Sequence, residues 1–121
     1  MRSENPDILE RSIAYSLQII NLYRVLEKDS VGRVLGRQLL RSGTSIGANI
    51  HEAQGGQSKA DFIAKLSIAY KEVRETAYWL RLIQEATLIP ADRFGEVMNE
   101  TEQLIKILSS ILLHTKQRPP N

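Results

Sequence analysis

At 121 residues the chain has the length of one domain, long enough to bury a core without disulfides or metal ions. It contains no cysteine, which excludes a disulfide framework and a thiolate metal site. Its 16 basic and 14 acidic residues give a net charge of only +2, so any attraction to a polyanion must come from the distribution of the charges.

Targeting signals are not evident in the sequence. The first residues, MRSENPDILERS, are too polar for a secretion signal, and no run reaches the ~18 apolar residues that span a bilayer. We therefore expect a cytoplasmic protein that forms a single domain over residues 1–121.

The first predicted helix covers about 6–28. Asn5, Pro6 and Asp7 form a start signal, because Asn caps a helix, Pro suits its first position and Asp favours the positive end of its dipole. Apolar residues then recur with helical spacing at Ile8, Tyr15, Ile19, Leu22 and Leu26.

The second predicted helix covers about 31–54. Ser30 is the expected amino-terminal cap, and Gly55 with Gly56 is expected to end the helix in a left-handed conformation. Seven residues share the face that we expect in the core: Val31, Leu35, Leu39, Ser42, Ile46, Asn49 and Ala53.

The third and fourth predicted helices cover about 58–87 and 91–115, and residues 116–121 are expected to form a loose tail. Ser58, with Asp61 three residues later, resembles a capping box, and Pro90 separates the two helices. No segment alternates as a strand does. Four helices of similar length with short connections predict an all-α fold, an antiparallel up-down four-helix bundle.

Four glycines follow one side of the second helix. Each glycine in a helix interior costs about 1 kcal/mol relative to alanine, so another interaction must offset this loss of stability. We favour close packing of a neighbouring helix. A ligand or nucleic-acid backbone lying on the glycines and a local distortion of the helix are the alternatives. The glycines are Gly32, Gly36, Gly43 and Gly47.

The stretch RSGTSIGANIHEAQGG, residues 41–56, carries no catalytic or metal motif. A phosphate loop needs a preceding strand and the order GxxxxGK[ST], and neither is present. The zinc motif HExxH would need a second histidine where Gly55 stands. No Glu-x-x-His pair of the kind that binds metals in helical bundles occurs. We therefore expect no metal, no cofactor, no catalytic residue and no enzymatic activity.

A basic row lies beyond the glycines on the second helix. Arg33, Arg37 and Arg41 recur every four residues, and Arg24 and Lys28 from the end of the first helix extend the row. Such a row is suited to the phosphate backbone of a nucleic acid. The alternative is that these side chains are simply solvated, or pair with acidic residues of a neighbouring subunit. No aromatic residue interleaves with the row, so base readout is not indicated there.

The third helix has a second apolar patch away from its core stripe. Ile68, Trp79 and Leu82 form this patch, which Glu72 and Glu75 interrupt. Because one bundle buries only one side of a helix, we expect these residues at a subunit interface. A rim contact of Trp79 within the single chain is the alternative.

The segments RQLLRSGTSIGANIHEA and SKADFIAKLSIAYKEVRETAYWLRLI resemble the small four-helix bundle proteins first noticed in intervening sequences of bacterial 23S ribosomal RNA genes. The resemblance covers about 35–83, and the outer helices agree in pattern only. The chain departs from the family at His51-Glu52-Ala53, where the family usually has Ala and then Glu-Gly. The resemblance implies a left-handed bundle that assembles into a ring-like pentamer without established enzymatic activity. In a related branch, the accessory protein of diversity-generating retroelements, the pentamer presents a basic surface to a reverse transcriptase and its RNA.

Two functions are therefore expected. The first is a homo-oligomeric bundle, pentameric as the family resemblance implies, that binds RNA or DNA backbone through its basic surface. The second is a protein–protein adaptor or scaffold ring, for example an accessory subunit of a reverse transcriptase.

Overall fold

The computed structural model describes residues 6–117, which fold into four α-helices. They are α1 (Pro6–Leu26), α2 (Ser30–Gln54), α3 (Lys59–Glu85) and α4 (Gly95–Gln117), and a short 3₁₀-helix, Ala91–Arg93, precedes α4. No strand occurs between residues 6 and 117, which confirms the all-α prediction.

The chain termini differ slightly from the prediction. Because α4 continues to Gln117, the expected tail cannot begin at residue 116. Residues 118–121, like the expected cap Asn5, lie outside the described part of the chain.

α2 lies at the centre of the helix packing, against α3 and α1, while α4 packs mainly against α3 and makes a small contact with α1. Along α2, Gly36 lies beside Tyr23 and Gly47 beside Ser12, so residue numbers rise in one helix as they fall in the other. This is the order of antiparallel neighbours. The direction of α4 and the handedness of the bundle stay predictions.

The core is mainly aliphatic, with Tyr15 and Phe94 also fully buried, and it receives side chains from all four helices. Each fully buried leucine or isoleucine contributes roughly 1.5–3 kcal/mol relative to an exposed one. Two residues of α2 that were expected in the core are not fully buried. Val31 is 56% exposed, and Asn49 is half-buried with its amide donating to the Ser45 carbonyl of the same helix at 2.8 Å. Members of the core include Ile19, Leu39, Ile46, Leu80, Ile83, Leu104 and Leu108.

The helix ends show one confirmed and two wrong predictions. Ser58 caps α3, accepting from the Asp61 amide at 3.1 Å. Asp29, not Ser30, caps α2, because its carboxylate accepts from the Gly32 amide at 2.8 Å and Ser30 already lies within the helix. Gly55 ends α2 with φ −94°, so the expected left-handed ending is wrong. Its amide instead reaches back to carbonyls of the last turn.

α1 lies directly against the glycines of α2, all four of which are buried. A Cβ atom at Gly32 would stand 2.4 Å from the Leu26 carbonyl oxygen, and one at Gly43 would stand 2.8 Å from Ile19 Cγ2. Gly36 and Gly47 are similarly close to side chains of α1. The missing side chains therefore leave the space that α1 occupies.

We expect Gly32→Ala to destabilise the protein by about 1–3 kcal/mol, although alanine is the better helix former by about 1 kcal/mol. The obstacle is a backbone carbonyl, which no rotamer change can remove. Urea unfolding followed by circular dichroism should show a midpoint lower by roughly 1 M. Gly95→Ala is the control, because nothing lies within 4 Å of a Cβ there. Equal stability of the two variants would contradict the packing role of Gly32.

A buried hydroxyl pair joins α1 to α4. Thr101 donates its single hydroxyl proton to the Val97 carbonyl at 2.6 Å, so the Tyr15 hydroxyl, 2.6 Å away, donates to Thr101 Oγ1. Burial raises the pKa of Tyr15 well above its usual value of 10.0, and the nearby negative charge of Glu100 acts in the same direction. The neutral phenol is therefore the form that the fold requires.

Tyr15→Phe should reveal this requirement at alkaline pH. In the unfolded chain Tyr15 loses its proton near pH 10.0, whereas in the folded chain it keeps it. The unfolded state then binds fewer protons, so the free energy of unfolding falls by up to about 1.4 kcal/mol per pH unit above that pH. We expect Tyr15→Phe to lose about 1 kcal/mol at neutral pH and to lack this alkaline component. If the free energies of unfolding of the two proteins followed parallel curves against pH, Tyr15 would not be the source of the alkaline loss.

Candidate nucleic-acid interface

The predicted basic row is divided by the tertiary structure. Arg41 pairs within its own chain with two acids of α3: its guanidinium lies 3.4 Å from Glu72 Oε1 and also binds Glu75 Oε2. The side chain of Glu72 is only 12% exposed. The sequence allowed an ion pair between these arginines and acids of a neighbouring subunit. For Arg41 the ion pair forms within one chain instead, and its charge is largely neutralised.

The other four basic residues form what we call the cationic cluster: Arg24, Lys28, Arg33 and Arg37. All four are exposed, and within residues 6–117 none of them forms an ion pair. The contact of α1 with Gly36 places Tyr23 and Leu26 beside it, so the neighbouring Arg24 and Arg37 lie at one level of the bundle. The cluster thus occupies the end of the molecule where α1 turns into α2.

Two acids lie in the same stretch, Glu27 and Asp29. The carboxylate of Asp29 is already bound to the Gly32 amide as the cap of α2. The stretch 24–37 has 4 basic and 2 acidic residues, so it keeps a net positive charge. A surface of this kind attracts phosphates without distinguishing bases.

The predicted interface residues on α3 are only partly available. Ile68 is 39% and Leu82 36% exposed, but Trp79 is half-buried against the core. The indole N–H of Trp79 donates to Glu75 Oε2 at 2.9 Å, and that carboxylate also binds Arg41. Glu72 and Trp79 thus already have partners in their own chain, and Ile68 and Leu82 remain as the exposed apolar members.

Comparison with known proteins assigns the family. A family model described as 23S rRNA-intervening sequence protein matches residues 4–110. The chain belongs to this family. Among solved structures, it is similar to a protein of unknown function from the S23 ribosomal protein family of Bacteroides thetaiotaomicron, with 43% identity and a TM-score of 0.82. The match covers 87% of this chain and 97% of that one. None of the curated proteins matches.

A groove lies between α1 and α2 of this member of the 23S rRNA-intervening sequence protein family. It was not predicted from the sequence. Its volume is about 320 Å³, and His51 lies at one side with Nε2 3.2 Å from the Leu9 carbonyl oxygen. The groove lies where α1 and α2 meet, so it depends on a helix pairing that no local pattern reveals. The lining residues are Ser12, Ile13, Ser16, Leu17, Gly47, Ala48 and His51.

The hydroxyls in this groove are engaged in ordinary helix contacts. Ser12 donates to the Leu9 carbonyl at 2.8 Å, and Ser16 donates to the Ser12 carbonyl at 2.9 Å. No group of three or more His, Cys, Asp or Glu side chains suited to a metal occurs among residues 6–117.

Glu52, near the end of α2, pairs with Lys65 of α3 at 2.8 Å. This hydrogen bond and the charge of Glu52 raise the pKa of Lys65. The pair joins the end of α2 to the beginning of α3.

Across residues 6–117, each helix is too short or too polar to cross a membrane.

Proposed function

We propose that the protein is a non-enzymatic, cytoplasmic homo-oligomer that binds the backbone of RNA or DNA through its cationic cluster. The observation that carries the proposal is that Arg24, Lys28, Arg33 and Arg37 are exposed at one end of the bundle without acidic partners in the described chain. Arginine and lysine that are not held in ion pairs are groups that phosphate oxygens bind well.

The same contacts explain why Arg41 is outside the proposed site. Its guanidinium is held by Glu72 and Glu75, and a phosphate would have to displace two carboxylates to reach it. Binding through the remaining cations recognises charge and spacing rather than sequence. The ligand class is therefore a nucleic-acid backbone.

Self-association would increase the effect of a small cluster. Each chain contributes four cations, and a ring of chains would combine them into one larger positive field. Support for self-association comes from the exposed apolar side chains of Ile68 and Leu82 on α3. The number of subunits, five, rests on the family resemblance alone.

A second candidate function is that of an adaptor for another protein, such as a reverse transcriptase. The exposed apolar residues of α3 favour it, since they could receive a partner chain instead of a second copy. In this case the cationic cluster would serve solubility.

Salt titration with a labelled nucleic-acid duplex tests the first proposal. If four phosphates are contacted by the cluster of one chain, the slope of log K against log salt is about −3 to −4, since each contact contributes about −0.9. We expect Arg33→Glu with Arg37→Glu to weaken binding at least about tenfold and to make the slope shallower by about 2.

The matched control is Lys106→Glu with Lys116→Glu, which makes the same change of charge on exposed residues of α4. We expect it to retain most of the wild-type affinity. An affinity that does not respond to salt, or equal losses in the two double variants, would refute the cationic cluster as the site. A protein partner that stays bound after nuclease digestion would favour the adaptor.

Light scattering tests the homo-oligomer. The wild-type protein should have a multiple of the 13.7 kDa chain mass at micromolar concentration, five times that mass if the family resemblance holds. Ile68→Glu places a charge in the proposed interface and should shift the protein to the single-chain mass. Leu113→Glu, at a residue 61% exposed on α4, should leave the mass unchanged. A monomeric wild-type protein would contradict self-association.

A further inference from the structure

The outer face of α3 carries aromatic and basic side chains in alternation. Tyr70, Arg74 and Tyr78 follow one another at intervals of four residues, about 6 Å of helix rise, and Lys71 lies beside them. We call these four residues the aromatic–cationic strip. It is separate from the cationic cluster, which lies on α1 and α2. It adjoins Ile68 and Leu82, one turn from Lys71 and Tyr78, so a subunit bound at those two residues would compete with a ligand on the strip.

Tyr78 offers an open aromatic surface. Its side chain is 56% exposed. Its ring meets Trp79 with the centroids 5.1 Å apart and the planes at 70°, so Trp79 covers at most one of its two faces. The neighbouring Arg74 guanidinium stands 5.7 Å from the centre of the Tyr70 ring, a cation–π distance that holds the charge on the same surface.

The acids near the strip are already bound to other groups. Glu75 accepts from Arg41 and from the Trp79 indole, and Glu85 accepts from Arg81 at 2.9 Å. Lys71 and Arg74 are exposed and have no acidic partner in the described chain. The strip therefore combines two positive charges that are not in ion pairs with an aromatic ring that is 56% exposed.

We propose that the aromatic–cationic strip binds single-stranded nucleic acid, with one base stacked on Tyr78 and adjacent phosphates held by Lys71 and Arg74. Single strands are bound by this combination, because every base has a stacking face and the backbone needs positive charge. A duplex hides its base faces, so it would leave Tyr78 unused. An acidic peptide would engage the cations but not the ring. The proposal goes beyond the backbone binding assigned to the cationic cluster.

The single tryptophan makes the test direct. Trp79 is the only tryptophan of the chain and contacts Tyr78, so its fluorescence should change when a base stacks on that ring. Oligouridine is titrated against wild type, Tyr78→Ala and Tyr78→Phe at raised salt, which weakens purely electrostatic binding. Tyr78→Ala should bind about tenfold more weakly and lose the fluorescence change, whereas Tyr78→Phe, which keeps the ring, should bind as the wild type does.

Leu113→Ala is the matched control, because it removes an exposed apolar side chain that lies on α4 rather than on α3. It should bind oligouridine normally, and circular dichroism should show that all variants are folded. A duplex of the same length should give no fluorescence change. Equal affinity of Tyr78→Ala and wild type, or equal signals from duplex, oligouridine and polyglutamate, would overturn the proposal.

The two nucleic-acid proposals can fail separately. Single-strand binding that survives Arg33→Glu with Arg37→Glu but is lost in Tyr78→Ala would support the strip. It would leave the cationic cluster without a role in single-strand binding. Loss in the arginine variant with no effect of Tyr78→Ala would support the cluster and overturn the strip.

Discussion

The close approach of α1 to α2 is the contact on which the rest of the molecule depends. The axes of packed helices normally lie about 8–10 Å apart, depending on the side chains at the contact. A Cβ atom at Gly32, Gly36, Gly43 or Gly47 would lie only 2.4–3.2 Å from the nearest atom of α1. Four glycines lower the helix propensity of α2 by a few kcal/mol, so its helical state must be maintained by packing rather than by local preference. This packing also sets the level at which residues of α1 stand beside those of α2, including Arg24 and Arg37.

The opposite side of α2 is organised by polar contacts with α3. The buried hydroxyls of Ser42 and Thr76 lie 2.8 Å apart, and directly beside them Arg41 reaches Glu72 and Glu75. A buried hydroxyl pair needs its partner in register, because an unsatisfied one would cost about 1–3 kcal/mol. Glu75 also accepts from the Trp79 indole one turn along α3. One set of contacts thus aligns two helices and removes Arg41 from the free cations.

Much of the fold follows from local patterns, and the errors have local causes. Pro6, Ser58 and the helical spacing of apolar residues predicted four helices to within a few residues. Ser30 and Asp29 are both good caps, and only the geometry of the tight α1–α2 turn selects Asp29. Val31 has the spacing of a core residue but stands in the first turn of α2, where it is 56% exposed. The binding role that we propose for Tyr78 could not be predicted from the sequence, because it depends on nearby acids being paired with other groups, which only the contacts in the structure show.

The sequence by itself determined the number and extent of the helices, the glycine side of α2 and the chemical types on each helix, because these depend on residues within a few turns of one another. The tertiary structure alone decided which charges are free. Arg33, Arg37 and Arg41 are equivalent in spacing, yet only Arg41 is brought to carboxylates more than 30 residues away. Ion pairing depends on distance in space, and that distance is set by how α2 and α3 pack, which no periodicity along one helix contains.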